Sequence, residues 1–310
     1  MIGTGTRGVT RESDTGFVDD VGAEGPVAAV GKRTRWSLGG ELTDGTRLVS
    51  APAGIVDYTP AEMTVRVRAG TTVADLDAAL GEKRQRCALP DRGGTVGGAI
   101  ATGQNDLCAL GRGRLRDAVL QVKYVSADGK AVVAGGPTVK NVTGFDLPRL
   151  LVGSLGTLGL IEEVVLRTNP IPAESRWLVS ADADPRQVVD VLLAPSAVLW
   201  DGARTWVFLE GHGPDVDAEV SSLAGTGSFT NVDGPPPLPE HRWSLPPAEL
   251  FALGDTDDRF VAALGSGIAF AATPQPRREP DPGVVAVAER IKHQFDPTGR
   301  LAPGRVVGGH

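Results

Sequence analysis

Apolar and polar residues alternate most clearly in the first half of the chain. Residues 64–69 alternate apolar and charged side chains, which predicts a half-buried strand that ends at Gly70. Val73, Leu76 and Leu80 then follow at helical spacing. Thr72 stands before this stripe as an N-cap, and Gly81 closes it. The pattern therefore predicts a strand followed by an amphipathic helix.

Further strands are predicted at residues 27–30, 118–126 and 160–167, with a hairpin turn at residues 127–130 leading into 131–134. Residues 169–172 (NPIP) indicate a domain boundary. Beyond it, a β-α-β-β-α-β order over residues 177–232 is typical of a ferredoxin-like unit. The Pro-rich stretch 234–247 is interpreted as a loop or linker, and residues 284–295 as a last helix stopped at Pro297.

Composition narrows the possible functions. The 310 residues suggest about two domains of ~150 residues each. A net charge of −7 argues against a nucleic-acid partner, because that partner requires a basic face. No apolar run approaches the roughly 20 residues of a membrane span. The first residues lack the apolar stretch of a signal peptide, so we expect a cytoplasmic protein without direct membrane insertion.

Metal chemistry is disfavoured as well. Cys87 and Cys108 are the only cysteines, too few for a four-cysteine iron–sulfur site, and the four histidines are scattered. We interpret both cysteines as small buried hydrophobes. No metal site is predicted.

Glycine is the informative excess, with 41 residues. Three glycine-bearing segments, at residues 31–40, 93–98 and 153–159, could cradle a phosphate, because glycine permits positive φ and close approach of backbone N–H groups. None has the spacing of a dinucleotide fingerprint or a P-loop. Each segment alone could equally be a set of ordinary tight turns.

Several motifs in a fixed order favour a phosphate-binding role over ordinary turns. They are residues 57–60 (DYTP), 68–72 (RAGTT), 94–103 (GTVGGAIATG), 116–119 (RDAV), 139–147 (VKNVTGFDL), 153–159 (GSLGTLG) and 295–305 (FDPTGRLAPGR). Together they resemble the vanillyl-alcohol oxidase superfamily, which has a PCMH-type FAD-binding domain, and specifically the FAD-binding subunits of glycolate oxidase complexes.

The resemblance implies an α+β fold. Residues 1–25 would be a loose N-terminal segment, and residues 26–172 a PCMH-type FAD-binding domain of two α+β subdomains. Residues 173–310 would form a small ferredoxin-like α+β domain, acting as cap or substrate domain, with a C-terminal helix and tail.

The resemblance also implies the cofactor site. The first loop, residues 31–37, would wrap the FAD pyrophosphate, and the second loop, residues 93–98, would cover its other side. Thr102 and Gly103 would lie beside the flavin, and residues 159–161 would lie near the adenine. We expect the backbone at Gly97 and Gly98 to contact the cofactor in a conformation that branched side chains disfavour. The predicted cofactor residues are Gly31, Lys32, Arg33, Thr34, Arg35, Trp36, Ser37, Pro90, Gly93, Gly94, Thr95, Val96, Gly97, Gly98, Thr102, Gly103, Gly159, Leu160 and Ile161.

One departure lies in the first loop, where Lys32 or Arg33 replaces a usual family glycine. A cationic side chain cannot take positive φ without strain, but it can pair with a pyrophosphate. Neither this loop nor residues 93–98 contains a His or Cys, so the expected FAD is non-covalent.

The resulting hypothesis is an FAD-binding subunit of a glycolate oxidase-like 2-hydroxyacid dehydrogenase. Hydride would pass from a small 2-hydroxy acid to the flavin, or electrons would pass onward through it. Arg242 is the candidate for the substrate carboxylate, although it could instead simply cover Trp243. A catalytic flavoprotein subunit and an iron–sulfur subunit are the implied partners, and they could hold the chain at a membrane surface. The alternatives are a non-catalytic assembly subunit that has lost FAD and a stand-alone FAD-dependent alcohol oxidoreductase.

Overall fold

The computed structural model describes residues 16–136, 146–276 and 278–307. Residues 139–145 of the VKNVTGFDL motif therefore lie outside the described residues. The α-helices are α1 Gly16–Val21, α2 Val73–Gly81, α3 Val96–Thr102, α4 Ala109–Arg112, α5 Leu115–Ala118, α6 Leu147–Leu151, α7 Pro185–Val191, α8 Gly213–Ser222 and α9 Pro282–Phe295. The 3₁₀ segments are Pro60–Glu62, Leu223–Gly225 and Pro247–Asp255.

The strands follow the same chain order. They are β1 Val27–Ala29, β2 Arg47–Val49, β3 Ile55–Thr59, β4 Thr64–Arg68, β5 Gln85–Arg86, β6 Val119–Val125, β7 Ala131–Gly135, β8 Leu160–Arg167, β9 Asn169–Pro170, β10 Glu174–Ser180, β11 Ala197–Trp200, β12 Thr205–Gly211, β13 Thr230–Val232, β14 His241–Ser244, β15 Phe260–Ala263 and β16 Ile268–Ala271.

The first half is built on a five-stranded sheet of order β3-β4-β8-β6-β7, in which neighbouring strands are antiparallel. Val65 and Val67 of β4 are buried while the intervening Arg66 is half-buried, as the alternation predicts. Helix α2 begins at Thr72, whose side chain accepts a hydrogen bond from the Asp75 N–H at 3.1 Å. Helices α2 and α3 bury their apolar faces in the core of this half.

The second half is built on a seven-stranded sheet of order β13-β10-β12-β11-β15-β16-β14. The predicted β-α-β-β-α-β order is present along the chain from β10 to β13, but it accounts for only part of this sheet. Strand β14 lies inside the stretch interpreted as a linker. Strands β15 and β16 are buried at every residue, so they lack the alternation that identifies a half-buried strand.

The two faces of the seven-stranded sheet have different neighbours. One face packs against α7, α8 and the Pro247–Asp255 segment in a core that contains Leu250 and Leu223. The other face contributes Trp206, Phe208 and Phe270 to a second cluster, together with Cys108 from the first half. This second face is therefore turned towards the glycine-rich half of the chain.

Both ends of the described chain pack against the first half. Residues 16–21 form α1, with Phe17 and Val21 buried, so this part of the segment predicted to be loose is ordered. Arg300 is buried and donates hydrogen bonds to five backbone carbonyls, those of Val21, Gly22, Glu24, Gly25 and Ala127. The residues after α9 thus return to β1, where Leu301 forms a parallel bridge with Val27.

Candidate functional site

A continuous cleft runs along α3. Two adjoining pockets share six lining residues, and we call their union the α3 cleft. The shared residues are Ala29, Gly31, Thr95, Gly98, Ala101 and Leu155. Residues of the first loop line one end, and Gly156 and residues 159–161 line the other end.

Most of the predicted cofactor residues line this cleft. They are Gly31, Lys32, Arg33, Thr34, Arg35, Trp36, Gly94, Thr95, Gly97, Gly98, Thr102, Gly159, Leu160 and Ile161. The structure brings together three segments that are distant in sequence, as the resemblance implies.

The remaining predicted residues do not line the cleft. They are Ser37, Pro90, Gly93, Val96 and Gly103. Val96 is fully buried in the core, because the first turn of α3 directs this side chain inward. Gly103 caps α3 at φ 64°, and a Cβ there would lie 2.7 Å from the Cα of Gly153. Its glycine is explained by backbone packing.

The glycines at the cleft serve mainly close approach. A Cβ at Gly31 would lie 2.6 Å from the Thr95 hydroxyl, and one at Gly97 would lie 2.7 Å from the Ala69 Cβ. Neither glycine has positive φ, so the expectation that Gly97 has a conformation closed to other residues is wrong. Thr95 caps α3 by accepting a hydrogen bond from the Gly98 N–H at 3.2 Å. Small residues let the first loop, β4 and α3 meet.

Three non-glycine residues with a strained backbone line the same cleft. Arg33, Leu155 and Ala302 all line it and all have positive φ, at 58°, 54° and 44°. Such a conformation costs a non-glycine residue energy and marks a place where the surrounding structure imposes it. Arg33 thus keeps the backbone shape that a glycine would take, in spite of its side chain.

Two arginines hold the indole of Trp36 in the first loop. The Arg33 Cζ lies 5.1 Å from the ring centroid and the Arg305 Cζ lies 4.7 Å from it. Arg305 also donates to the carbonyls of Trp36 and Leu38. Since Arg33 is exposed and stacked, its guanidinium stabilises the loop through Trp36.

Arg35 differs from Arg33 in its surroundings. Its Nε and Nη1 are buried without a hydrogen-bond partner, and its Nη2 lies 2.9 Å from the position a Cβ would take at Gly94. Burial, followed by the charge of Arg92, lowers the pKa of Arg35 below its usual range, while Asp91 opposes this shift. An unpaired buried guanidinium is costly, so the cleft is suited to an anion.

Arg242 lies in the middle of β14, paired with Phe270 of β16. Its Nε is buried and has no partner. Burial, then the charges of Arg92 and Arg35, lower the pKa of Arg242 to about 10. The charges of the first-loop Arg35 and of Arg92 thus act on Arg242, and its role in binding a substrate carboxylate stays a prediction.

Several cleft residues were not predicted from sequence. They include Ala29, Ala101, Leu155, Gly156, Ala302 and Arg305. The C-terminal motif at residues 295–305 contains two of them and carries the resemblance, so it offered a usable signal. Leu155 is an apolar residue among glycines, and its residue type does not predict a positive φ or a position in the cleft.

The two cysteine thiols are buried and lie outside the α3 cleft. Burial raises the pKa of both the Cys87 and the Cys108 thiols to about 12, and neither lines the cleft. Among residues 16–136, 146–276 and 278–307, no cluster of three His, Cys, Asp or Glu side chains could hold a metal ion. Nor does any helix in those ranges have the length and apolar character needed to cross a membrane.

The α3 cleft fits FAD on its own chemistry. It is elongated, it is lined by small residues that leave backbone groups accessible, and it contains the unpartnered nitrogens of Arg35. Arg35 and Lys32 would balance the charge of the pyrophosphate, and the glycines would allow its close approach.

Comparisons with known proteins agree with this fit. Residues 21–135 match the family model described as the FAD binding domain. The glycolate oxidase subunit GlcE of Escherichia coli is 32% identical over 210 residues, which are 64% of this chain and 60% of that subunit. The D-lactate dehydrogenase of Archaeoglobus fulgidus is 42% identical over 106 residues, 33% of this chain and 24% of that enzyme.

A solved structure shows the same fold over a longer range. An alkyldihydroxyacetonephosphate synthase superposes with a TM-score of 0.65 at 13% identity, covering 91% of this chain and 73% of that one. The chain spans less than two thirds of the length of the two curated relatives. Residues 21–135 thus match an FAD-binding domain, and parts of the chain are similar to glycolate oxidase subunits and D-lactate dehydrogenases.

Proposed function

We propose that this chain is the FAD-binding subunit of a glycolate oxidase-like 2-hydroxyacid dehydrogenase. The observation that carries the proposal is the position of Arg242. This arginine lies on the second sheet with a buried, unpartnered Nε, and the charge of Arg35 in the α3 cleft acts on it. A guanidinium so placed can take the carboxylate of a substrate whose α-carbon is presented to the cofactor.

In this function the residues of the chain bind and orient. Arg35 and Lys32 balance the charge of the cofactor, and the small residues of α3 allow its approach. Arg242 fixes the carboxylate end of the substrate and thereby the direction of its α-carbon. FAD, when bound, supplies the acceptor for the hydride released from that carbon.

The test begins with a yellow protein. The full chain is reconstituted with FAD, and glycolate or D-lactate is added without oxygen while the absorbance of oxidised flavin is followed. Bleaching by either acid supports the proposal, and Arg242→Gln should raise the substrate concentration that bleaching requires. A colourless chain that cannot be reconstituted supports an assembly subunit without FAD instead.

Partner subunits belong to the same proposal. The given sequence has two cysteines, too few for a four-cysteine iron–sulfur cluster, so the proposal assigns such a cluster to a partner subunit. We expect a longer flavoprotein and an iron–sulfur protein to co-purify with the chain from its native source, where they could hold it at a membrane surface. Purification of the active chain alone, with oxidation of a simple alcohol, would favour the stand-alone oxidoreductase.

The proposal takes FAD as non-covalent. Both cysteines are buried away from the cleft, and no described histidine lines it. Acid or heat should therefore release intact FAD into solution. Flavin fluorescence that stays with the polypeptide on a denaturing gel would contradict this.

A further inference from the structure

Two arginines from opposite halves of the molecule lie on one side of the second sheet, beside Phe270. Arg92 precedes the second glycine segment, and its Cζ lies 5.6 Å from the centroid of Phe270. Phe270 stands directly opposite Arg242 in the β14–β16 pair. Residues directly opposite in an antiparallel pair project to the same face of the sheet. Arg92 and Arg242 therefore lie on the same side of the second sheet, the side turned towards the first half.

Neither guanidinium has an anionic partner among the described residues. Asp106, whose charge acts on Arg92, pairs with Arg112 at 3.0 Å, and Asp91, next to Arg92 in sequence, accepts a hydrogen bond from the Gly93 N–H at 2.9 Å. The Nε of Arg242 is buried and unpartnered. Like charges that act on each other destabilise the protein, so the arrangement is explained best by an anion that both arginines bind.

The electrostatics agree with this geometry. Burial lowers the pKa of Arg92, and Asp106 opposes the shift only in part. Burial first, and then the charges of Arg92 and Arg35, lower the pKa of Arg242. Arg35 lines the α3 cleft and stands available to the cofactor, which leaves Arg92 and Arg242 for a second anion.

We infer that Arg92 and Arg242 together bind the carboxylate of a small organic acid, in a site that joins the two halves of the molecule beside the α3 cleft. Arg92 is thus the second carboxylate-binding residue, alongside Arg242. The choice of a carboxylate rests on the proposed function, and the site itself rests on the unpartnered guanidiniums.

Oxalate is a suitable probe because it carries carboxylates and has no C–H bond to oxidise. Its binding to the full chain, with FAD and after removal of FAD, is measured by calorimetry and by the shift in the thermal unfolding midpoint. Neutral oxamide has a similar shape and serves as the control ligand. We expect oxalate, and not oxamide, to bind and to raise the midpoint.

The variants are Arg92→Gln and Arg242→Gln, with Arg204→Gln as the matched control. Arg204 is exposed in the turn before β12 and loses the same charge. Each of the first two variants should weaken oxalate about tenfold to a hundredfold, as expected for a lost charge-assisted contact. Both should also unfold, without ligand, at or above the wild-type temperature, because a like-charge repulsion is relieved. Arg204→Gln should behave as wild type.

A purely structural arginine would give the opposite signature. If Arg92→Gln lowers the ligand-free midpoint and leaves oxalate affinity unchanged, the inference is overturned. Oxalate that fails to bind wild type in both FAD states overturns it too. Arg92→Lys retains the charge but not the planar fork, and it should bind oxalate with intermediate affinity.

The outcomes also separate this inference from the proposed function. Oxalate binding that depends on both arginines, in a chain whose flavin no hydroxy acid reduces, retains the site and rejects the function. Flavin reduction by glycolate with an unchanged KM in Arg92→Gln retains the function and rejects the role of Arg92.

Discussion

Neighbouring arginines in the first loop have different tasks. Arg33 is exposed, takes positive φ and stacks on Trp36, whereas Arg35 has buried nitrogens without partners. The sequence singled out both as cations that could meet a pyrophosphate. Only their burial distinguishes the one suited to bind an anion from the one that supports the loop.

This difference predicts opposite effects on FAD binding. Arg35→Ala should weaken FAD about tenfold to a hundredfold and flatten the dependence of affinity on salt, because a charge-assisted contact is lost. Arg33→Gly should bind FAD as well as wild type or more tightly, since glycine takes this φ without strain. Titration of the FAD-free protein at two salt concentrations measures both. Equal weakening in the two variants would contradict the assignment.

The carboxyl group of Asp77 on α2 lies where its ionised form is disfavoured. Burial, then the charges of Asp91 and Asp106, raise its pKa to about 6, although Arg112 opposes the shift. A raised carboxyl pKa means that ionisation costs folding stability. The cost is absent below about pH 4, grows between about pH 4 and 6, and is complete above that range.

Replacing this group should therefore stabilise the protein at neutral pH. Asp77→Asn should gain about 1 kcal/mol at about pH 7.5, the full shift being reduced by solvent screening at a half-exposed site. The gain should vanish at about pH 4. Urea unfolding at both pH values checks this, with the exposed Asp233→Asn as control. A gain of equal size at both pH values would show that ionisation is not its cause.

Among the elements, the short helix α3 packs closely against its neighbours because it contains small residues. Gly97 faces the Ala69 Cβ, whereas a Cβ at Gly98 would meet only the Thr95 hydroxyl, at 3.1 Å. Adjacent glycines on one helix therefore differ in purpose. The first lets α3 approach the end of β4, and the second leaves room in the cleft.

The pair predicts unequal losses on substitution by alanine. Gly97→Ala should destabilise the protein by about 1–3 kcal/mol, because the added methyl forces α3 away from Ala69. Gly98→Ala should stay within about 1 kcal/mol of wild type, since better helix propensity offsets the tighter contact. Denaturant unfolding of both variants provides the comparison. A stable Gly97→Ala would indicate that α3 can shift freely.

In the whole molecule, Glu210 of β12 joins the two halves. Its carboxylate, 5% exposed, pairs with Arg86 of β5 and lies 3.8 Å from the Arg112 Nε. Burial alone would raise the pKa of Glu210, but hydrogen bonds from Arg86 and Ser196 and the charges of both arginines lower it overall. The ionised pair therefore stabilises the protein above about pH 4–5 and is lost in acid.

Removing the charge of Glu210 tests whether this buried ion pair stabilises the protein more than an exposed ion pair does. Glu210→Gln should destabilise the protein by about 2–3 kcal/mol, because two partly buried guanidiniums lose their anion. The exposed pair of Glu249 with Arg278 is the control, and Glu249→Gln should cost much less stability than Glu210→Gln, because solvent screens an exposed pair. Thermal unfolding at neutral pH measures both. Equal losses would show that Glu210 does not hold the halves together.

Local pattern was sufficient for much of the first half. The alternation in β4, the stripe and Thr72 cap of α2, and the β6–β7 hairpin all depend on neighbours in sequence, and each is confirmed. Strands β14, β15 and β16 were missed for a physical reason. Two of them are buried on both faces and β14 lies in a Pro-rich stretch, so periodicity could not reveal them.

The sequence by itself determined the glycine segments, their order and the family they indicate, because a cofactor cradle is encoded in short contiguous motifs. Only the tertiary structure decided which charges meet. Arg35, Arg92 and Arg242 come from a loop, a second loop and an edge strand that no local rule connects. Their proximity depends on how the second sheet packs against the first half, and that packing depends on apolar area summed over many residues.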